Sequence, residues 1–176
     1  PDLRTNAQAW ERYAEAGVTL GDASSAVHAV GLLTYATSNI GDDIQSLAAA
    51  QYLDAEVPLD CFNRDALSTL VRPAPRLTIL NGWYAHRGET GTNWPPSAAI
   101  DPVPVSMHVT APAASAILSS DGLVWLPRQA SIGCRDDATL RLMQRHGVEA
   151  SLTGCLTLTL RQPTLEPAPR LAVWAV

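Results

Sequence analysis

Apolar and polar positions fall in alternating blocks along this chain. An apolar run at residues 29–35 (AVGLLTY) feeds the polar stretch Ser38-Asn39-Ile40-Gly41-Asp42-Asp43, and a helical periodicity over 44–53 leaves it. A strand, a tight polar turn and then a helix is the geometry of a site at the carboxyl end of a parallel sheet. Gly41 is expected to permit the turn, and Asp42 or Asp43 to cap the helix by accepting its free N–H groups.

The pattern then predicts a strand over 56–62, a short helix over 64–71, and a strand over 76–80 that ends in Asn81-Gly82-Trp83-Tyr84. A long loop over 85–102 follows, flanked by Trp83 and Trp94, which argues for an ordered, packed segment. Residues 103–110 read as a strand whose paired part begins near Val105, because Pro104 cannot donate to a ladder. Helix 113–126 is stopped by Pro127, strand 131–134 leads into helix 136–146, and Gly147 closes it. Strand 148–152 follows, and alternation of Thr157 and Thr159 with leucines reads as a further strand over 156–160. A helix is predicted over 6–16, a Pro-rich linker over 162–169, and an apolar strand over 171–176. Strands alternating with helical runs predict an α/β fold with a doubly wound, mostly parallel sheet. The expected division is 1–25 as helix and lead-in, 26–161 as a Rossmann-like domain, and 162–176 as linker and strand.

Composition narrows the chemistry. The 176 residues are 47% hydrophobic and 16% charged with a net charge of −5, which supplies a core and disfavours nucleic acid as a partner. No apolar run is long enough to span a membrane and no signal peptide is visible. The first residue is Pro, which is expected of a processed or trimmed chain. All 12 basic residues are arginine, so a P-loop lysine, a Schiff base and a lysine base are excluded. Cys61, Cys134 and Cys155 are widely spaced and odd in number, which fits a reducing cytoplasm better than a disulfide framework or zinc site. No cofactor and no metal are expected.

Four polar turns at predicted strand ends should converge on one rim of the sheet: 38–43, 81–86, 108–110 and 133–136. The binding candidates there are Asn39, Gly41, Asp42, Asp43, Asn81, Trp83, His86, Trp94, His108, Arg135 and Asp136. Paired carboxylates at Asp42 and Asp43 disfavour a phosphate and favour a hydroxyl-rich or cationic group. His108 can act as acid or base near neutral pH, or simply satisfy a backbone carbonyl; His108 and Asp43 are the catalytic candidates. Arg135 with Asp136 can bind a carboxylate or a sugar hydroxyl, or form an ion pair and helix cap. Trp83 and Trp94 can stack on a sugar ring or pack in the core.

Six segments in order resemble the polysaccharide pyruvyl transferase family: SNIGDDIQSLAAAQYL (38–53), LNGWYAH (80–86), NWPPS (93–97), SMHVT (106–110), IGCRDDATLRLMQRHGVEA (132–150) and TGCLTLTL (153–160). Ser38 stands where the family's Gly-Asn-x-Gly-Asp turn has its first glycine, and Arg135-Asp136 where Arg-Glu is common. The resemblance implies one half of a glycosyltransferase-B-like fold, on the acceptor side. It implies transfer of the pyruvyl unit of phosphoenolpyruvate, the donor substrate, to a sugar hydroxyl of a polysaccharide precursor. The donor is then expected against basic residues of a C-terminal domain or partner chain, with 171–176 as that domain's first strand. By this reading the isolated chain does not turn over phosphoenolpyruvate, and the apolar strand 171–176 drives self-docking or homo-oligomer formation. The alternatives are a non-catalytic binding or assembly module of the same fold, and an unrelated Rossmann-like enzyme, disfavoured by the absence of a G-x-G-x-x-G turn.

Overall fold

The computed structural model describes residues 29–35, 38–53, 56–84, 94–129 and 131–161. The expected helix 6–16, linker 162–169 and strand 171–176 lie outside these residues, as does His86. Two four-stranded, all-parallel sheets form the framework. The first has the order β2 (Leu59–Asn63), β1 (Val30–Thr34), β3 (Arg76–Ile79), β5 (Ile100–Val103). The second has the order β4 (Gly82–Tyr84), β6 (Met107–Val109), β7 (Ile132–Cys134), β8 (Ala150–Leu152).

The two sheets hand over to each other through the same chain runs. β3 passes into β4 across Leu80 and Asn81, and β5 passes into β6 across residues 104–106. Hydrogen bonds span the handover, from Leu80 N–H to Val103 O at 2.9 Å and from Gly133 N–H to Pro104 O at 2.9 Å. With β3/β4 and β5/β6 counted as single runs, the strand order is 2-1-3-4-5-6, a Rossmann-like arrangement that reverses direction between β1 and β3.

β1 is buried along nearly its whole length, as a central parallel strand covered on both faces must be. Val30 and Leu32 pack with Ala49, Ala50 and Leu53 of helix α1 (Ile40–Ala50) and the turn that follows it. Leu33 and Tyr35 join the larger core of Leu67, Leu80, Tyr84, Met107, Ile117, Leu126, Ile132 and Met143. Gly31 is required by close approach, since a Cβ there would stand 2.7 Å from the Phe62 ring and would also collide with Thr78.

Several elements differ from the sequence expectation. Helix α1 begins four residues early, so Asn39 and neither aspartate is its N-cap; the Asn39 side chain accepts from Gly41 N–H at 3.0 Å. Gly41 therefore sits inside the first helical turn instead of making a sharp turn. The loop expected over 85–102 ends earlier, because β5 begins at Ile100; Pro102 is tolerated since β5 is the edge of its sheet. The expected strand 103–110 is instead parts of two strands with a break between them. Helix 113–126 is divided into α2 (Ala111–Ile117) and α3 (Ser120–Trp125), because the Ser119 hydroxyl accepts from Gly122 N–H and starts a new helix. Pro127 lies in a short 3-10 turn, Leu126–Arg128. The expected strand 156–160 is a 3-10 turn, Leu156–Thr159, in which the Thr159 hydroxyl donates to Leu156 O at 2.7 Å. Its hydroxyl also accepts from Gln51 Nε2, so the turn docks on the end of α1. Helix α4 (Asp137–Arg145) matches the prediction, capped by Asp136 and followed by Gly147 at φ 72°. Among the described residues no helix is long and apolar enough to cross a membrane.

Candidate functional site

The carboxyl edge of the second sheet carries the candidate site, and a bulge builds it. Ile79 pairs with Val103 and Gly82 with Met107. The chain advances three residues on one run and four on the other, so one extra residue lies in 104–106, where Ser106 adopts φ 54°. Because strand side chains alternate, one extra residue reverses the faces of everything after it. With the bulge, His108 pairs with Trp83 and shares its face, while Met107 and Val109 turn into the core beside Gly82 and Tyr84. Without it, His108 would take the phase of Tyr84 and point inward.

Arg135 stands at the same level on the next strand, since Met107 pairs with Cys134 and Arg135 N–H donates to Met107 O at 2.8 Å. Trp83, His108 and Arg135 thus form a row of half-buried residues across the strand ends.

Asp136 fixes the middle of that row. Its Oδ2 is bonded to His108 Nδ1, and its Oδ1 accepts from Thr139 N–H at 2.9 Å as the cap of α4. The Thr139 hydroxyl in turn accepts from Val109 N–H at 3.1 Å, which ties the end of β6 to the start of α4 a second time. Burial pushes the Asp136 carboxyl up, but its bonds from His108 and Thr139 outweigh this and hold it below the usual carboxylate range. The His108 side chain remains 25% exposed, so the ring reaches the surface while one nitrogen is engaged.

A second network lies at the reversal of strand order. The Arg64 side chain, 3% exposed, packs over the Tyr35 ring at 4.6 Å, donates to Trp83 O at 2.6 Å and to Asp65 at 3.2 Å, and sits 3.8 Å from Asp42 Oδ1. Tyr35 OH donates to Asn81 O, and Asn81 Nδ2 donates to Gln45 O at 2.9 Å. Gly82, at φ 141°, lies directly against the Tyr35 hydroxyl, where a Cβ would come within 2.8 Å. This network is largely buried, with Asn81 Oδ1 lacking a hydrogen-bond partner among the described residues, and Arg64 bonds the backbone of Trp83 within it.

The predicted site residues therefore divide. Trp83, His108 and Asp136 are brought together, with Arg135 at the same level. Asp42 and Asn81 are buried in the supporting network, and Asn39 caps α1 at the surface. Asp43 lies in the first turn of α1; burial and the neighbouring Asp42 raise its pKa, but the described hydrogen bonds and ion pairs do not join it to His108. Trp94 is 2% exposed and packed edge-on between Tyr84 and Trp125, so it is a core residue, not a surface for stacking. Arg64 was missed by sequence reasoning, though it follows β2 directly and the strand-end rule applied elsewhere would have marked it. Among the described residues no group of three or more His, Cys, Asp or Glu side chains is placed to hold a metal ion.

An aromatic face beside a histidine with one nitrogen anchored by a carboxylate can bind a sugar ring and move a proton. Comparison with protein-family models, with curated proteins and with solved structures found no match for this chain.

Proposed function

We propose that this chain is the acceptor-side domain of a pyruvyl transferase-like enzyme of glycosyltransferase-B-like architecture. It presents a sugar hydroxyl of a polysaccharide precursor to the pyruvyl unit of phosphoenolpyruvate. The observation that carries this reading is the register pairing of Trp83 with His108 at the carboxyl edge of the sheet, with Asp136 on the imidazole. An indole face suits the apolar face of a pyranose, and a neighbouring base suits its hydroxyl edge. The donor's phosphate and carboxylate are held by basic residues of a C-terminal domain or partner chain.

The second reading is a sugar-binding module of the same fold without chemistry. One observation favours it: Arg64, which reaches this edge from the end of β2, is committed to Trp83 O, Asp65 and Asp42. Titration of the chain with neutral hexopyranosides, followed by tryptophan fluorescence and calorimetry, tests both. Binding that disappears in Trp83→Ala is expected. Neither reading expects this chain alone to release phosphate from added phosphoenolpyruvate, and absence of saccharide binding overturns both readings.

A further inference from the structure

We infer that His108 is the general base that takes the proton of the acceptor hydroxyl, and that Asp136 is the positioning residue that makes its Nε2 the accepting nitrogen. This rests on the sugar-acceptor reading and goes beyond it by assigning the proton.

Both oxygens of Asp136 are committed. Oδ1 accepts the Thr139 N–H, so Oδ2 is the oxygen that meets His108 Nδ1. A carboxylate only accepts, so the proton of neutral His108 must lie on Nδ1, and Nε2 carries the free lone pair. The bulge at 104–106 puts the ring on the half-exposed face beside Trp83. The β6–α4 tie through Val109 and Thr139 fixes the separation of imidazole and carboxylate. A surface histidine that merely satisfied a carbonyl would need none of these three.

In the assigned step the acceptor O–H bond breaks and its proton passes to Nε2. The oxygen's electron pair forms the bond to C2 of the donor, and the donor's C2–C3 π pair takes a proton from solvent to become a methyl group. Phosphate leaves with its C2–O electron pair as a second hydroxyl oxygen takes its place, losing its proton to solvent. The imidazolium formed by the first transfer is stabilised by Asp136 and returns its proton to solvent.

Asp136→Asn separates this role from capping. Asn is as good an N-cap as Asp, so Oδ1 still receives Thr139 N–H and the helix is kept. The amide now turns an NH2 toward Nδ1, which can only accept from it, so the ring proton moves to Nε2 and the base is lost. The test is ¹⁵N NMR of the imidazole nitrogens of His108 in the 176-residue chain and in Asp136→Asn, without and with the hexopyranoside used above. The expected result is a proton on Nδ1 in the wild type, transferred to Nε2 in Asp136→Asn. Sugar should shift Nε2 in the wild type, and Asp136→Asn should lose that shift while the Trp83 fluorescence response persists. A proton on Nε2 in the wild type, or the same tautomer in Asp136→Asn, overturns the assignment whatever the sugar does. A sugar response at Trp83 with none at His108 Nε2 overturns it while leaving the acceptor reading intact. A correct tautomer with no sugar response at either residue fails the acceptor reading and the assigned step with it.

Discussion

At Arg64 a single side chain holds together four places: the first turn of α1, the Tyr35 ring, the Asp65 carboxylate and the carbonyl of Trp83. Removing a charge from such a network leaves Asp42 buried at 2% exposure with one neighbour fewer. Arg64→Leu should therefore destabilise the chain by on the order of 3 kcal/mol in urea unfolding. Arg64→Lys should recover little, because an ammonium cannot both stack on Tyr35 and bond forward to Trp83 O. A loss below about 1 kcal/mol in either variant would show that the network is incidental. His108, Asp136 and Trp83 were legible as candidates because each falls at the end of a predicted strand or the start of a predicted helix. Their mutual contact was not legible, since it depends on register across strands far apart in sequence. For Trp94 the choice between stacking on a sugar and packing in the core is not legible in composition, and only the edge-on contacts with Tyr84 and Trp125 show that it packs.

At the scale of elements, the bulge between β5 and β6 is the feature on which the site's geometry turns. Ser106 there adopts φ 54°, and among the described residues its buried hydroxyl has no hydrogen-bond partner. Both are costs, and Ser106→Gly removes both while keeping the extra residue. It should stabilise the fold by about 1 kcal/mol, measured by chemical denaturation. A destabilised Ser106→Gly would mean that the hydroxyl is satisfied in solution. Pro104 hinted at irregularity in the sequence, but nothing in the pattern indicated a whole extra residue, because the run VPVSMHV keeps its apolar positions on either side of the break. α1 shows a different failure. The two aspartates looked like caps, yet Asn39 starts the helix earlier and leaves Asp42 for the Arg64 network. α4 was read correctly because its signals agree: Asp136 at the cap, leucines inside, and Gly147 after the end.

Over the whole molecule, the alternation of strands and helical runs was enough to reach a parallel Rossmann-like sheet, and too coarse to show its central runs broken into two sheets. The first sheet has an electrostatic tie of its own. Asp60 on β2 receives Arg72 through two bonds, 2.5 and 3.0 Å, and Arg76 at 3.4 Å. The hydrogen bonds from Arg72 are the main reason its pKa lies below the usual carboxylate value. A carboxylate depressed in the folded state contributes its stability above its unfolded pKa and loses it as pH falls through the folded one. The Asp136 carboxylate has the same sign. The melting temperature should accordingly hold through neutral pH and fall below about pH 4. Asp60→Asn should have a lower plateau and a shallower acid decline; an acid limb of unchanged steepness would show that Asp60 is not among the groups that set it.

In the proposed function the carboxyl edge of the second sheet, at Trp83, His108 and Arg135, receives a sugar hydroxyl. Amide chemical-shift mapping of the chain during titration with a hexopyranoside locates that contact directly. The expected shifts are concentrated at 82–84, 107–110 and 134–137, with the amino ends of the same strands unmoved. Shifts gathered anywhere else in the fold, or none at saturating sugar, would contradict it.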